Sequence, residues 1–321
     1  MLGYAARRIL QSLVVLLAIT VIVFAGINLI GNPVDVLAGV NCDQACRERA
    51  IERLGLNLPL REQYLVFLRN LLHGDLGRSF VYGTPALEVV LQRLPATLEL
   101  AFVAMVFSLL VGFPLGVWAG LKRQTAGARA VMAVTVLGFS VPTFWIGILL
   151  IILFSVELGL LPATGRGETV EVLGMRLSFL TADGLTHIIM PALTLAFYKI
   201  SLIVRLVRNG TTEVMFADYI RFARAKGLRR SRIIGLHATK NILIPIITIL
   251  GIEFGTLIAF AVVTETIFAW PGVGRLLTQS IYSYDYPVVQ TSVFIIAVTF
   301  VFLNLAIDLL YALIDPRIRY D

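Results

Sequence analysis

Long apolar runs, separated by shorter polar segments, dominate the hydrophobicity pattern of this chain. Each run is about 20 residues or longer, which is the length that an α-helix needs to cross the hydrocarbon core of a bilayer. The six runs cover residues 9–30, 98–121, 131–158, 187–207, 242–264 and 288–313. The pattern therefore predicts an all-α integral membrane protein with six transmembrane helices.

The composition supports the membrane interpretation. Of the 321 residues, 58% are hydrophobic and only 15% are charged, whereas a soluble domain has about 25% charged residues. The first run is longer than the apolar region of a secretory signal peptide, and no small-residue cleavage site follows it. We therefore expect it to remain as the first transmembrane helix.

Six spans place alternate loops on opposite sides of the membrane and both termini on the same side. The Lys and Arg residues divide unevenly between these two sides. The side that contains both termini has 15 of them in 59 residues, and the other side has 10 in 118 residues. Because basic residues favour the cytoplasmic side, we expect both termini to be cytoplasmic and the protein to lie in the cell inner (plasma) membrane. The same placement accounts for the net charge of +7 without a nucleic-acid partner.

A sizeable external loop follows the first predicted span. Residues 59–72 in it are amphipathic, and their predicted apolar face consists of Leu60, Tyr64, Phe67, Leu68, Leu71 and Leu72. Cys42 and Cys46 are four residues apart in the same loop, so a helix would place them on one face, and we expect a disulfide in an oxidising compartment. The three histidines are scattered, and no metal site is predicted.

The most informative polar segment is the cytoplasmic one, residues 208–241. A short helix is expected from Asp218, ended by a glycine C-cap at Gly227. Asp218 lies at the N-terminal end and Lys226 at the C-terminal end, where their charges interact favourably with the helix dipole. Ser231 is positioned to cap a second helix that leads to Asn241. The sequence thus predicts a helix–turn–helix between two spans.

One stripe of the first helix contains Tyr219, Phe222, Ala223 and Lys226, at helical spacing. Aromatic side chains on a basic surface suit the docking of a cytoplasmic partner, although a solvated, positively charged loop is the alternative. The chain contains no Gly-Lys pair and hence no P-loop. If transport uses ATP, another subunit hydrolyses it.

These residues resemble the docking loop, or EAA motif, of ABC transporter permeases, specifically the dipeptide/oligopeptide/nickel branch of type I importers. The match begins with DYIRFARAKGL from Asp218 and continues with HATKN from His237. Further matches, in the same order along the chain, cover residues 54–64, 74–79, 93–100, 264–276, 308–311 and 315–319. The 18-residue spacing from Gly227 to Pro245 is longer than the general permease pattern and is what we expect of the peptide branch.

The resemblance implies a domain organisation. It comprises an N-terminal transmembrane helix (1–30), an external (periplasmic) loop domain (31–96), an ABC type-1 transmembrane core of five helices (97–313) and a cytoplasmic tail (314–321). The large external loop is expected of the first permease subunit of the pair. The residues expected to dock an ATPase are Asp218, Tyr219, Arg221, Phe222, Ala223, Arg224, Lys226, Gly227, His237 and Asn241.

The resemblance also implies partners: a second homologous permease, two ATPase subunits and an external substrate-binding protein. The chain would bind no cofactor and would not be an enzyme, because ATP and Mg²⁺ would be held by the partner subunits. Short peptides are the expected substrate, and nickel and glutathione are the alternatives.

Four acidic residues fall inside the predicted spans, where a charge is costly. Glu99, Glu157 and Asp308 lie near span ends, where solvation or snorkelling suffices. Glu253 is near mid-span, and Lys199 is its expected counter-charge. The two residues either line the translocation path or form a structural ion pair.

Two other functional classes compete with the importer hypothesis. A self-contained secondary carrier would favour internal repeats with matching broken helices, and no convincing self-similarity is seen. A membrane enzyme would need a catalytic cluster within the spans, and none stands out. The segment at Pro271-Gly272, before the last span, either dips back toward the membrane or lies as an amphipathic surface loop.

Overall fold

A computed structural model describes residues 2–30, 44, 57–172 and 174–314. The helices, in chain order, are α1 (Leu2–Ile30), α2 (Leu60–Leu72), α3 (Ala86–Leu121), α4 (Ala126–Ser140), α5 (Thr143–Leu150), α6 (Ala182–Phe216), α7 (Asp218–Ala225), α8 (Arg230–Arg232), α9 (Thr239–Ile267), α10 (Val273–Tyr282) and α11 (Tyr286–Ile314). The π-helical segments Ile151–Glu157 and Ile233–Ala238 continue α5 and α8. Strands β1 (Val170–Val172) and β2 (Met175–Leu177) form an antiparallel hairpin in which Val170 lies opposite Leu177.

Within the described ranges, five helices are long and apolar enough to cross a membrane, and the count is six if one bent pair forms a single span. The five are Arg7–Gly26, Ala86–Leu121, Ala182–Phe216, Ile249–Ile267 and Tyr286–Ile307. The predicted helical membrane architecture is therefore confirmed, while the side on which the termini lie stays a prediction. Several helices continue past the apolar runs, because a helix does not end where its hydrophobicity ends.

The third predicted span, residues 131–158, is not one continuous helix. Helices α4 and α5 meet at a break with an angle of 106°. Pro142 lacks a backbone N–H, and its ring disfavours a helical conformation of the preceding residue. Val141 accordingly has φ −90° and ψ 127°. The run therefore counts as one span only if the bent pair crosses the membrane together, because the proline interrupts the helix that the apolar pattern favours.

Clustering of contacts divides the chain into two compact units, and the first consists of Met1–Pro95 and Pro271–Asp321. Its core is a set of small and branched apolar side chains from the start of α3, from α10 and from α11: Ala86, Val89, Val90, Val273, Leu276 and Val288. The segment after Pro271 is an amphipathic helix, α10, with Leu276 buried and Tyr282 exposed.

The predicted amphipathic helix in the external loop is confirmed as α2, and it packs against α1. The Tyr64 hydroxyl lies 2.8 Å from Thr20 Oγ1, and its ring contacts Phe24 edge-on at a centroid distance of 5.4 Å. Leu60 and Leu72, which were placed on the same apolar face, are instead exposed. Both lie at the ends of α2, beyond the part that faces α1.

The second unit, Ala96–Trp270, is built around α6. In the most apolar stretch of this helix 61% of the residues are buried, the highest share among the five spans. A core of branched and small side chains joins it to α9 and the preceding π-helical segment: Ile203, Val207, Ala238, Ile242 and Ile246. Helix α6 therefore anchors the start of the polar segment that follows it, which begins with α7 at Asp218.

Three glycines spaced four residues apart let α3 approach α6 closely. They are Gly112, Gly116 and Gly120. A Cβ atom at Gly116 would lie 2.6 Å from the Cβ of Val207 and 2.9 Å from the carbonyl oxygen of Val204. Small residues at such positions allow helices in a membrane to pack backbone to backbone.

We expect Gly116→Ala to lower the stability of the purified protein by about 1–3 kcal/mol, the usual effect of overpacking a close interface. The added methyl group meets backbone, which cannot rotate away. Gly210→Ala is the matched control in α6, because its Cβ would lie 3.6 Å from Ile242, an ordinary contact distance. Thermal unfolding in detergent measures both variants, and equal midpoints for the two would contradict the close packing.

Candidate functional site

Helix α7 ends in a Schellman motif, as the sequence predicted for Gly227. Gly227 has a φ of +75°, and its N–H donates to the carbonyl of Arg224 at 2.9 Å, while the N–H of Leu228 donates to that of Ala223 at 3.3 Å. This pair of hydrogen bonds needs a left-handed residue, which glycine adopts without strain. The chain direction after α7 is therefore fixed.

Apolar packing under the turn holds α7 in place. Ile220, Ala223 and Ile233 are buried together, and Leu228 packs against them. The contact between Leu228 and Ala223 is the hydrophobic pair that commonly accompanies a Schellman motif. The helix–turn–helix is thus a packed element with one face turned inward and the other outward.

The outward face of α7 is aromatic and basic. Tyr219 is 44% exposed and Phe222 is 62% exposed, and Lys226 places its Nζ 4.6 Å from the centre of the Phe222 ring. Ala223, which the sequence placed on this stripe, is buried instead. The predicted surface therefore exists without Ala223, because the inner side of so short a helix must fill the cluster around Ile220.

The remaining predicted docking residues surround this face. Arg221 pairs with Asp218 at 3.3 Å in an exposed contact, and Arg224 donates to the carbonyl of Met215 at 3.4 Å. Asn241 donates to the carbonyl of His237 at 2.8 Å. Burial raises the pKa of the Tyr219 hydroxyl, and a hydrogen bond with Asn241 opposes that rise. Tyr219 therefore keeps its proton at neutral pH.

The predicted cap at Ser231 is wrong. The second helix begins at Arg230, its N-cap is Arg229, and no side chain caps it. Ser231 lies inside the first turn. The helix then runs through the π-helical segment into α9, so the turn at Gly227 is joined directly to a membrane-crossing helix.

The predicted pairing of Lys199 and Glu253 is confirmed. The Lys199 ammonium group donates to Glu253 Oε2 and to Thr256 Oγ1, the latter at 2.7 Å. Thr256 also donates to the backbone carbonyl of Glu253 at 2.8 Å. Lys199 is buried, and the side chain of Glu253 is 20% exposed. The pair joins α6 to α9 within their apolar segments.

A second charged cluster surrounds Glu99, which the sequence interpretation assigned to solvation near a span end. Glu99 is instead 3% exposed. Its carboxylate accepts from Arg166 Nε at 3.0 Å, from the Ser178 hydroxyl at 2.9 Å and from the Phe179 N–H at 2.9 Å. The partners come from the loop around the hairpin, a contact that no local pattern marks.

Two further buried acids hold distant parts of the chain together, one in each unit. In the first unit, Asp285 accepts from the Ser79 hydroxyl and from the N–H of Phe80, the latter at 3.0 Å. In the second unit, Glu265 accepts from Thr97 Oγ1 at 2.6 Å. Next to it, the Trp270 indole donates to the carbonyl of Ala96 at 2.9 Å. The first cluster holds a loop against the start of α11, and the second joins α3 to the end of α9. Sequence reasoning missed both because their partners lie about 170 to 200 residues apart.

Among the described residues, no three His, Cys, Asp or Glu side chains lie close enough together to hold a metal ion. Cys42 and Cys46 lie outside the described ranges, so their disulfide stays a prediction. The side chain of Asp308 is also outside them. Glu157 is exposed at the end of its helix.

The structure is that of a polytopic membrane protein: it has apolar helices of membrane-crossing length, with a buried ion pair between two of them. One loop carries a helix–turn–helix that exposes aromatic and basic side chains. The chain belongs to the family described as binding-protein-dependent transport system inner membrane components, whose model matches residues 112–320. The N-terminal model of the same system matches residues 1–101. The family resemblance seen in the sequence is thereby confirmed.

Full-length relatives agree with this assignment. The di/tripeptide transport system permease protein DppB of Pseudomonas aeruginosa is 40% identical, with 100% of both chains covered. The oligopeptide transport system permease protein AppB of Bacillus subtilis and the glutathione transport system permease protein GsiC of Pectobacterium atrosepticum are each 38% identical, again over 100% of both chains.

A solved structure supports the fold. An inward-facing structure of the MetNI methionine ABC transporter contains a chain that matches with a TM-score of 0.57 and 19% identity. The match covers 71% of this chain and 96% of that one. At this level of identity the similarity concerns the fold alone.

Proposed function

We propose that this chain is the membrane-spanning permease subunit of an ATP-driven ABC importer and that, with a second permease subunit, it forms the path for short peptides. The family assignment over both parts of the chain supports the importer class. The names of the relatives DppB and AppB support peptides as the substrate. Glutathione, itself a tripeptide, is the second candidate, because the GsiC relative is nearly as similar.

The observation that carries the ATP-driven mechanism is the outward face of α7. A helix fixed by a Schellman motif and an apolar cluster exposes Tyr219 and Phe222 beside basic side chains. Aromatic residues on a rigid support are typical of the energetic centres of protein interfaces. In this proposal an ATPase subunit docks there, and ATP and Mg²⁺ bind to the ATPases.

The remaining parts of the proposal follow from the importer class. Both termini face the cytoplasm of a multi-pass inner-membrane protein, and an external binding protein delivers the substrate to the opposite side. The positively charged loops support that orientation. Because α9 continues from the docking turn into the membrane, movement of the ATPases reaches the spans through a continuous helix.

Reconstitution tests the proposed function. The chain, its partner permease, two ATPases and the binding protein are placed in proteoliposomes, and uptake of labelled dipeptide and glutathione is measured. We expect uptake that requires ATP, both ATPases and the binding protein, with the dipeptide preferred. Uptake without the ATPases would indicate a secondary carrier instead.

We also propose that Lys199 and Glu253 line the translocation path. Replacing Glu253 alone with methionine leaves a buried ammonium group and is expected to destabilise the protein by about 3–5 kcal/mol. In the double variant, Lys199→Met with Glu253→Met, stability returns, because a buried pair exchanged for apolar side chains of similar volume is often neutral.

Transport by the double variant separates the two interpretations of this pair. If the residues line the path, uptake stays low although the thermal unfolding midpoint recovers. If uptake recovers together with the midpoint, the pair has only a structural role. Both readouts use the same reconstituted complex.

A further inference from the structure

An open cleft of about 580 Å³ lies between α1 and α11 in the first unit. Its volume is within the range of small-molecule sites, about 300–1,000 Å³. Helix α1 is the least buried of the five spans, because only 11% of the residues in its most apolar stretch are buried. The cleft is therefore placed at the periphery of this chain, where its surroundings include lipid.

The side chains that line the cleft are ordered by depth. Arg8 directly precedes the first apolar run and so lies at the level of the lipid headgroups. Ser12 follows one turn further along α1, and Val15 follows almost one turn after that. Asn304 and Val301 line the cleft from α11 and are three residues apart. From Arg8 to Val15 the helix rises about 10 Å.

This order matches the chemistry of one phospholipid. A guanidinium group binds phosphate through charge-assisted hydrogen bonds, and hydroxyl and amide groups donate to ester carbonyls. Apolar side chains suit an acyl chain. Serine and asparagine also join helices to one another in membranes, so the arginine at the headgroup level is the side chain that favours a lipid over a packed helix.

We propose that the cleft between α1 and α11 is a binding site for an anionic phospholipid, with its phosphate at Arg8 and one acyl chain between Val15 and Val301. The assignment depends on the membrane-crossing helices and not on the transported substrate. A failure of the proposed transport function would leave it standing.

Photo-crosslinking of the full transport complex in nanodiscs tests the site. The probe is phosphatidylglycerol with a photoactivatable acyl chain, and phosphatidylcholine with the same chains is the neutral comparison. Arg8→Gln removes the headgroup contact, and Val15→Trp fills the acyl part of the cleft. The matched controls are Arg7→Gln, which removes the same charge one residue away, and Leu13→Trp, which adds the same ring to an exposed position outside the cleft.

We expect labelling of α1 and α11 peptides that favours phosphatidylglycerol. Arg8→Gln should reduce it about tenfold or more, the effect of losing a charge-assisted hydrogen bond to the phosphate, and Val15→Trp should also reduce it. Both controls should label like the wild type. Equal labelling by the neutral lipid, an equal fall in the controls, or crosslinks that show a helix of the second permease in the cleft would overturn the assignment.

Discussion

Gly227→Glu is expected to abolish uptake while the protein still inserts into the membrane at near-normal levels. The left-handed conformation of Gly227 costs any other residue about 1 kcal/mol or more. That cost is small against the folding free energy of a multi-span protein. It is enough, however, to change the direction of the chain after α7. A carboxylate there also neutralises part of the positive charge that Lys226 and Arg229 give to this surface. The measurement is copurification of the ATPases together with ATP-dependent uptake.

Graded substitutions separate the backbone effect from the charge effect. A Cβ atom at Gly227 would meet no other atom within 4 Å, so Gly227→Ala adds only backbone strain and should be milder. Gly227→Asn should be milder still, because asparagine tolerates the left-handed region. Normal transport by Gly227→Glu with the ATPases bound would show that this loop is not the docking site.

Glu99→Ala is expected to cause the largest loss of stability among single substitutions in the loop clusters, about 3–5 kcal/mol. The change leaves the Arg166 guanidinium, which is 12% exposed, without its carboxylate. It also leaves the Ser178 and Phe179 N–H groups without their acceptor. Thermal unfolding measures the loss, and faster proteolysis within residues 159–181 should accompany it.

Removing the other partner should cost less. In Arg166→Met the Glu99 carboxylate keeps the Ser178 and Phe179 donors, so part of its stabilisation remains. Glu88→Gln is the matched control, because Glu88 is an exposed acid of the same helix, and we expect no measurable shift. A loss for Arg166→Met as large as that for Glu99→Ala would show that the ion pair, and not the backbone donors, stabilises the cluster.

Features that depend on neighbouring residues were predicted well from the sequence. The C-terminal end of α7 was predicted because a glycine ends a helix by adopting a left-handed conformation. Gly227 indeed has a φ of +75°. Six membrane-crossing helices were predicted because hydrocarbon requires a long apolar run, and five of them are present as single helices. The pairing of Lys199 with Glu253 followed from the cost of an isolated charge inside such a run.

Local patterns also misled in two places. The run 131–158 was expected to form one span, yet the helix bends by 106° at the break beside Pro142. Ser231 had the composition of a helix cap, but the helix starts one residue earlier, at Arg230. At Pro142 one residue outweighs the apolar pattern around it, and at Ser231 the composition of a cap does not by itself set where the helix starts.

The sequence by itself therefore determined the solvent of this protein, its helical class, its family and the turn at Gly227, since each depends on composition or on residues close together in the chain. Only the tertiary structure decided that Glu99 meets Arg166 and Ser178, that Asp285 meets Ser79, and that α3 approaches α6 at Gly116. Those contacts join residues that are about 70 to 200 positions apart. A one-dimensional pattern carries no distance between such residues, and folding alone brings them together.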